Sequence, residues 1–495
     1  VRGGEGGLAL SAADSGWADA VVYQVYPRSF QDTTGTGEGD LPGIASRLDH
    51  LAWLGVDALW LSPMYPSPMA DGGYDVADYM AVDPRYGTVA DAERLVAAAH
   101  TRGLRVLFDA VPCHTSIAHA WFREHPDWYV WSPVDGPANN WRAAFGGPAW
   151  SRDEATGRWY LHSFYPEQPD LDWRNPAVPE AFGACLRFWL ERGVDGFRVD
   201  AIDRLLKDPE LRDDPPASGP PPLPLHKEHD TLEHVHSRNA PDIGTALAQL
   251  RAAVGDALLV GEAYVPTHDL PPYLEHLDVC FGFELFHAPW DAAQIRAAID
   301  TATAVGPKRV AWVLSNHDFK RVPDRVGEVN VRAAALLLLT LPGMVFVYQG
   351  DEIGMANGPG REPPDDRAGR DPYRHPMAWD DGEPNKGFTS GTPWLPVTGA
   401  PDGAVAVQRA DTGSLLDLYR DLIELRRSLD GPVEVVDAAD GVLAHRRGRH
   451  LIALNVGPEP RPAPPAHRLI RHTHHVGPRA VPATLGPGEG YVAFH

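Results

Sequence analysis

The chain has 495 residues, 43% of them hydrophobic, which is enough for a large core. It carries 44 Lys and Arg against 67 Asp and Glu, a net charge of −23, which argues against nucleic acid or anionic membrane as a partner and suits a soluble protein with a neutral small-molecule substrate. Its three cysteines, Cys113, Cys185 and Cys280, form no disulfide framework and no CxxC pair, so a reducing, cytoplasmic location is expected.

Residues 1–16 hold one Arg and no apolar run long enough for a signal-peptide core, and read as a flexible tail. Short β-rich runs then alternate with amphipathic helical stretches. The predicted strands begin at Val21, Val56, Leu104, Val194, Ala257, Val279, Arg309 and Met344. Between them lie helical patterns such as GIASRLDHLAWLG, DAERLVAAAHTRG and PEAFGACLRFWLERG, each ending near Gly. Eight strand–helix repeats predict an α/β fold, a closed (β/α)8 TIM barrel over 17–112 and 173–413. The apolar run AAALLLLTLPGMVFV is broken by Pro342 and Gly343, short of the roughly 20 residues a membrane span needs. It reads as a buried helix followed by a buried strand.

Two insertions break the rhythm. Residues 113–172, rich in Trp, Tyr, Pro and Gly, predict a small inserted domain after the third strand. After the fourth strand a proline- and histidine-rich stretch predicts a long loop over the barrel mouth. Its His226, His229, His234 and His236 match no zinc motif and read as a solvated, mobile loop. From 414 a linking helix and short strands predict a C-terminal antiparallel β-sandwich.

Side chains at the C-terminal ends of barrel strands converge on one pocket. Asp109 and His114 follow strand three, Arg198 and Asp200 end strand four, Glu262 ends strand five, and His317 and Asp318 end strand seven. A strand-end Asp taken singly is more often a cap or an ion-pair partner. Acids ending three separate strands, two of them beside Arg or His, are hard to explain that way. Splitting a glycosidic bond needs one neutral and one charged carboxyl. Arg198, two residues from Asp200 on the same face, is expected to keep Asp200 ionised, while burial is expected to raise Glu262.

The segments DAVPCHTS, GFRVDAID, GEAY and SNHD, in that order, together with QPDLDW, resemble the α-amylase superfamily (glycoside hydrolase family 13). YQVYPRSFQD, GYDVADY, YQGDEIGM and PMAWD resemble its α-glucosidase and oligo-1,6-glucosidase branch. The resemblance implies a retaining, exo-acting α-glucosidase working on short α-glucosides through a covalent glucosyl-enzyme intermediate. Asp200 would be the nucleophile, Glu262 the acid/base and Asp318 the transition-state stabiliser. Asp71, Tyr74, His114, Arg198, His317 and Arg374 would hold the non-reducing glucose, and Trp141, Phe145 and Phe164 could line the sugar site. Ala201, directly after the nucleophile, accompanies α-1,4 preference in similar enzymes. A trehalose- or isomaltulose-forming transferase, an oligo-1,6-glucosidase and a non-catalytic transporter heavy chain stand as alternatives, the last disfavoured by the intact acids. Cys113 stands where the family usually has Asn, a poor exchange for calcium. The loop QDTTGTGEGD resembles a cation loop in which Asp32 and Asp40 remain but Thr34 and Thr36 replace two ligands. No cofactor is required on this reading, with a weak Ca2+ or Mg2+ site at Asp32–Asp40 as the one candidate. The sequence carries no signal for an oligomeric state.

Overall fold

The computed structural model describes residues 16–221, 223–306, 308–477 and 480–495, so the expected N-terminal tail lies outside the described residues except for Gly16. Eight parallel strands close a barrel: β1 (Val21–Val25), β2 (Ala58–Leu61), β3 (Arg105–Ala110), β4 (Gly196–Val199), β5 (Leu258–Gly261), β6 (Val279–Phe281), β7 (Val310–Val313) and β8 (Val345–Tyr348). β1 pairs with both β2 and β8, which closes the ring. All eight fall within the runs predicted from the sequence.

The strands are apolar on both faces because both are covered. Val22, Trp60, Leu107, Val260, Phe281, Val313 and Phe346 fill the barrel, while Val21, Tyr23, Val106, Phe108, Leu259 and Trp312 join the layer beneath the helices. This period of two carries the site. On β3 the parity that turns Leu107 inward turns Asp109 inward too. On β4 it selects Arg198 and then Asp200, and on β5 Val260 and then Glu262. Gly196 has no room for a side chain, since a Cβ there would lie 2.3 Å from the Leu258 carbonyl oxygen.

Helix ends are satisfied locally. Thr88 and Asp91 form a reciprocal capping box for Val89–His100, and Asp291 and Ser414 cap Ala292–Val305 and Leu415–Arg426. The apolar run before Pro342 is the helix Val331–Thr340, buried along nearly its whole length. The buried Arg426 donates to the carbonyls of Asp19 and Leu339, and Arg447 to that of Thr340, tying the C-terminal region to the barrel floor. That region is a five-stranded antiparallel sheet facing a two-stranded ribbon across a small apolar core that includes Leu451, Leu485 and Tyr491.

Between β3 and β4 the hairpin Trp150–Arg152/Trp159–Leu161 packs on Trp141. The loop after β4 is stitched to this segment. Asn139 Nδ2 and Trp141 Nε1 donate to the carbonyls of Leu211 and Arg212, and Asn140 Nδ2 to that of Asp214. The histidines of that loop are not all solvated, contrary to expectation. His229 is buried and stacks on His234 at 3.7 Å between ring centroids, and His234 bonds back to the His229 carbonyl. Polarity suggested exposure, but these rings pack on each other and against Arg204, Asp230 and Ser237. Among the described residues no helix is long and apolar enough to cross a membrane.

Candidate active site

A cavity of about 370 Å³ opens at the C-terminal end of the barrel. Of the residues expected from the sequence, Asp71, Tyr74, His114, Phe164, Asp200, Ala201, Glu262 and Asp318 line it. Phe145 lines it as well, whereas Trp141 belongs to the core of the inserted segment.

Asp200 and Glu262 are register neighbours. β4 and β5 pair Arg198 with Val260 and Val199 with Gly261, so the next step brings Asp200 beside Glu262. The ladder continues past the strand ends: Asp200 N donates to Ala110 O at 2.8 Å and Glu262 N to Val199 O at 2.9 Å. Both carboxyls therefore sit on backbone fixed by sheet hydrogen bonds. Directly afterwards Ala201 takes φ +47°, the left-handed region, and the chain swings off the barrel, so that Ile202 N reaches Glu262 O. A β-branched side chain is strongly disfavoured in that conformation.

One guanidinium organises the acids. Arg198, 1% exposed, donates to Asp109 at 2.8 Å, to Asp200 at 2.7 Å and to Glu262. Asp109 also accepts from Tyr74 Oη at 3.0 Å and Trp60 Nε1 at 3.2 Å. Burial raises the Asp109 carboxyl to about 6 despite Arg198. Burial likewise lifts Asp200 well above the usual carboxylate range, with Glu262 and Asp109 adding to the lift and Arg198 opposing it. Arg198 does pull Asp200 down, as expected from its position, but desolvation outweighs the single cation shared among three acids.

Asp318 has the opposite environment. Burial alone would raise it, but His317, Arg370 and Arg374 overcome that and hold it ionised far below the usual range. Arg370 Nη1 lies 2.9 Å and Arg374 Nη2 3.2 Å from its Oδ1. His317 is fully buried, stacked on Tyr74, and lowered to about 3 by burial. With the Gln24 amide nitrogen 2.8 Å from Nδ1, its proton sits on Nε2, 3.2 Å from Asp318 Oδ2.

Three expectations change here. Arg198, His317 and Arg374 are not on the cavity wall but behind it; Arg198 Nη1 donates to Asp109 and Asp200, and Arg374 Nε donates to the His317 carbonyl at 2.9 Å. The arginine on the wall is Arg370, which pairs with Asp71, Asp318 and Asp366. The motif GRDPYRH holds both arginines four apart; Arg370 faces the cavity, and Arg374, expected there, is turned inward. Arg204, Tyr264, Phe319 and Arg367 also line the cavity without having been singled out, and so does His226, which was expected only as a solvated loop residue.

The cation loop is hydrogen-bonded within itself. Asp32 accepts from Thr34 N, Gly35 N and Gly37 N at 2.7–2.9 Å and from the Thr389 hydroxyl. Asp40 accepts from Thr33 N and Gly43 N and caps the helix Leu41–Ser46. Lone pairs that a hard cation would need are spent on N–H donors, so this donor set does not fit a metal. Among the described residues, the one trio of His, Cys and acid atoms close enough to share an ion is Cys113, His114 and Asp170. There the Lys207 ammonium stands 2.6 Å from Asp170 and supplies the positive charge.

An eight-stranded barrel with paired acids at adjacent strand ends, beneath two insertions, defines a glycoside hydrolase of the α-amylase class. The α-amylase catalytic-domain family matches residues 24–431, and the chain belongs to that family. A probable α-glucosidase of Rhizobium meliloti is 40% identical over 87% of this chain and 87% of its own length. An oligo-1,6-glucosidase of Parageobacillus thermoglucosidasius is 36% identical over 84% of each. Among solved structures, the α-glucosyl transfer enzyme XgtA superposes with a TM-score of 0.88 at 36% identity, covering 96% of this chain and 99% of that one. The trehalulose synthase MutB of Pseudomonas mesoacidophila MX-45 gives 0.84 at 31%, covering 97% and 99%.

Proposed function

We propose that the protein is a retaining, exo-acting α-glucosidase that releases terminal α-linked glucose from short α-glucosides. The observation that carries this reading is the register pairing of Asp200 with Glu262 on one cavity wall. Neighbouring strands lie ~4.8 Å apart, a spacing from which an Asp and a Glu side chain can reach the ~5–5.5 Å between carboxyls that a double displacement uses. Asp200 attacks the anomeric carbon and forms the glucosyl ester. Glu262 protonates the departing oxygen, then takes a proton from the incoming water. Asp318, held anionic by its cations, binds sugar hydroxyls and favours the oxocarbenium-like state.

The salt bridges of Arg370 with Asp71 and Asp318 build a charged wall suited to a terminal sugar, which supports exo action. Ala201 supports preference for α-1,4 linkages. Transfer to a sugar hydroxyl in place of water is the second reading, favoured by the aromatic lining of Phe145, Phe164, Tyr165, Tyr264 and Phe319. The saturated Asp32 and Asp40 support catalysis without a metal, and three free, buried cysteines support a cytoplasmic location.

The test follows products from maltose, isomaltose, sucrose and an aryl α-glucoside by proton NMR in the first seconds of turnover. Free α-glucose is expected first. Initial release of β-glucose would overturn the double displacement, and turnover of none of the four would overturn the activity.

A further inference from the structure

The mouth of the cavity holds a cation that the hydrolysis described above does not use. Arg204 closes the short turn Ile202–Arg204 after the nucleophile and lines the cavity where the β4 loop walls it. It is 3% exposed, and among the described residues no carboxylate oxygen lies within 4.0 Å of its guanidinium nitrogens. Its side-chain hydrogen bond runs from Nη2 to His229 Nε2 at 3.2 Å. That ring is held neutral by burial and by Arg204 itself, and its Nδ1 faces Asp230 at 3.0 Å. The nearest acid in sequence, Asp203, is turned away: its Oδ1 accepts from Tyr264 N and its Oδ2 lies 3.5 Å from Arg238. Phe164 covers one face of the guanidinium at 5.4 Å. Burial lowers Arg204 from its ordinary value, and Asp203 does not make good the loss. A buried guanidinium facing a ligand cavity with a neutral partner gains most from an arriving anion, because charge-assisted, bidentate pairing is strongest where water is excluded. The contrast with Arg198, Arg370 and Lys207 is direct, for each of those is matched by at least one carboxylate.

We infer that the acceptor side of this pocket selects α-glucosides whose aglycone carries an anionic group, a carboxylate or a phosphate monoester, paired with Arg204. The inference rests on the α-glucosidase reading and names its substrate class.

Four probes test it: 4-carboxyphenyl α-glucoside against its neutral isostere 4-carbamoylphenyl α-glucoside, and an α-glucosyl sugar phosphate against the same disaccharide without phosphate. The wild-type ratio of kcat/KM, anionic over neutral, is expected to be at least about 10 in one or both pairs, which is the size of a charge-assisted contact worth about 1.4 kcal/mol. The pair that shows it identifies the anion. R204Q is expected to lower that ratio about tenfold or more, whatever it does to absolute rates, and R204K to restore part of it. Wild-type ratios at or below one in both pairs overturn the inference, and they need no variant that folds. An unchanged ratio in R204Q overturns Arg204 as the selecting group. If the wild type cleaves the neutral probes without preference, this inference fails and the glucosidase reading stands; if it cleaves none, both fail.

Discussion

Replacing Arg198 with Gln tests the electrostatic core of the site. Arg198 touches three acids, and it is the largest influence lowering both Asp109 and Asp200. Losing an opposite charge in contact raises a carboxyl by about 1–3 units. Both acids already stand above their ordinary values through burial, so the variant carries them further up. The acidic limb of kcat/KM marks ionisation of the nucleophile, and it moves to higher pH by the same 1–3 units. At a fixed pH on that limb, activity falls about 10–1,000-fold. Removing one partner from a buried charge network also costs about 3–5 kcal/mol of stability, a large share of an ordinary domain's 5–15. Urea unfolding reads the stability, and a pH series on an aryl α-glucoside reads the limb. A folded R198Q whose acidic limb coincides with that of the wild type would refute the claim that this guanidinium sets the ionisation of Asp200.

The remaining predictions concern stability and metal. Burial raises the Asp351 carboxyl to about 7, against an unfolded value near 3.9. Its stabilising protonated form is complete below pH 4 and is lost as pH rises through 7, at a cost of about 4 kcal/mol; D351N is therefore expected to flatten the fall in Tm between pH 5 and pH 8, and an unchanged slope counts against it. A201V places a β-branched residue at φ +47° and is expected to cost about 1–3 kcal/mol in urea, with the maltose-to-isomaltose ratio of kcat/KM falling. EDTA is expected to leave activity and Tm unchanged, and complete loss restored by Ca2+ would contradict the reading of Asp32 and Asp40.

The barrel was legible because two periods are written into the chain. Strands read as short apolar runs and helices as 3.6-residue stripes, and parity along β3, β4 and β5 turned Asp109, Arg198, Asp200 and Glu262 toward one axis. What stayed hidden lies where no period operates. Arg370 and Arg374 sit in an irregular loop, and which one faces the cavity depends on contacts with Asp71 and with the His317 carbonyl from distant segments. The histidine loop looked solvated by composition, yet His229 is buried by Arg204 and His234, contacts that no period announces. For Asp32 and Asp40, residue type gave the oxygens but not the donors already aimed at them. For Asp200, the neighbouring cation was visible in the sequence and the depth of burial was not.

Backbone registry sets Asp200 and Glu262 on neighbouring strand ends, facing one cavity. An inverting enzyme needs a wider gap, with room for a water between the carboxyls. In this barrel, moving one acid to a non-adjacent strand would widen the gap. A retaining outcome would thus draw on sheet registry, which keeps the two acids side by side. Rearranging the loops can trade one acceptor for another while the anomeric configuration of the product stays the same.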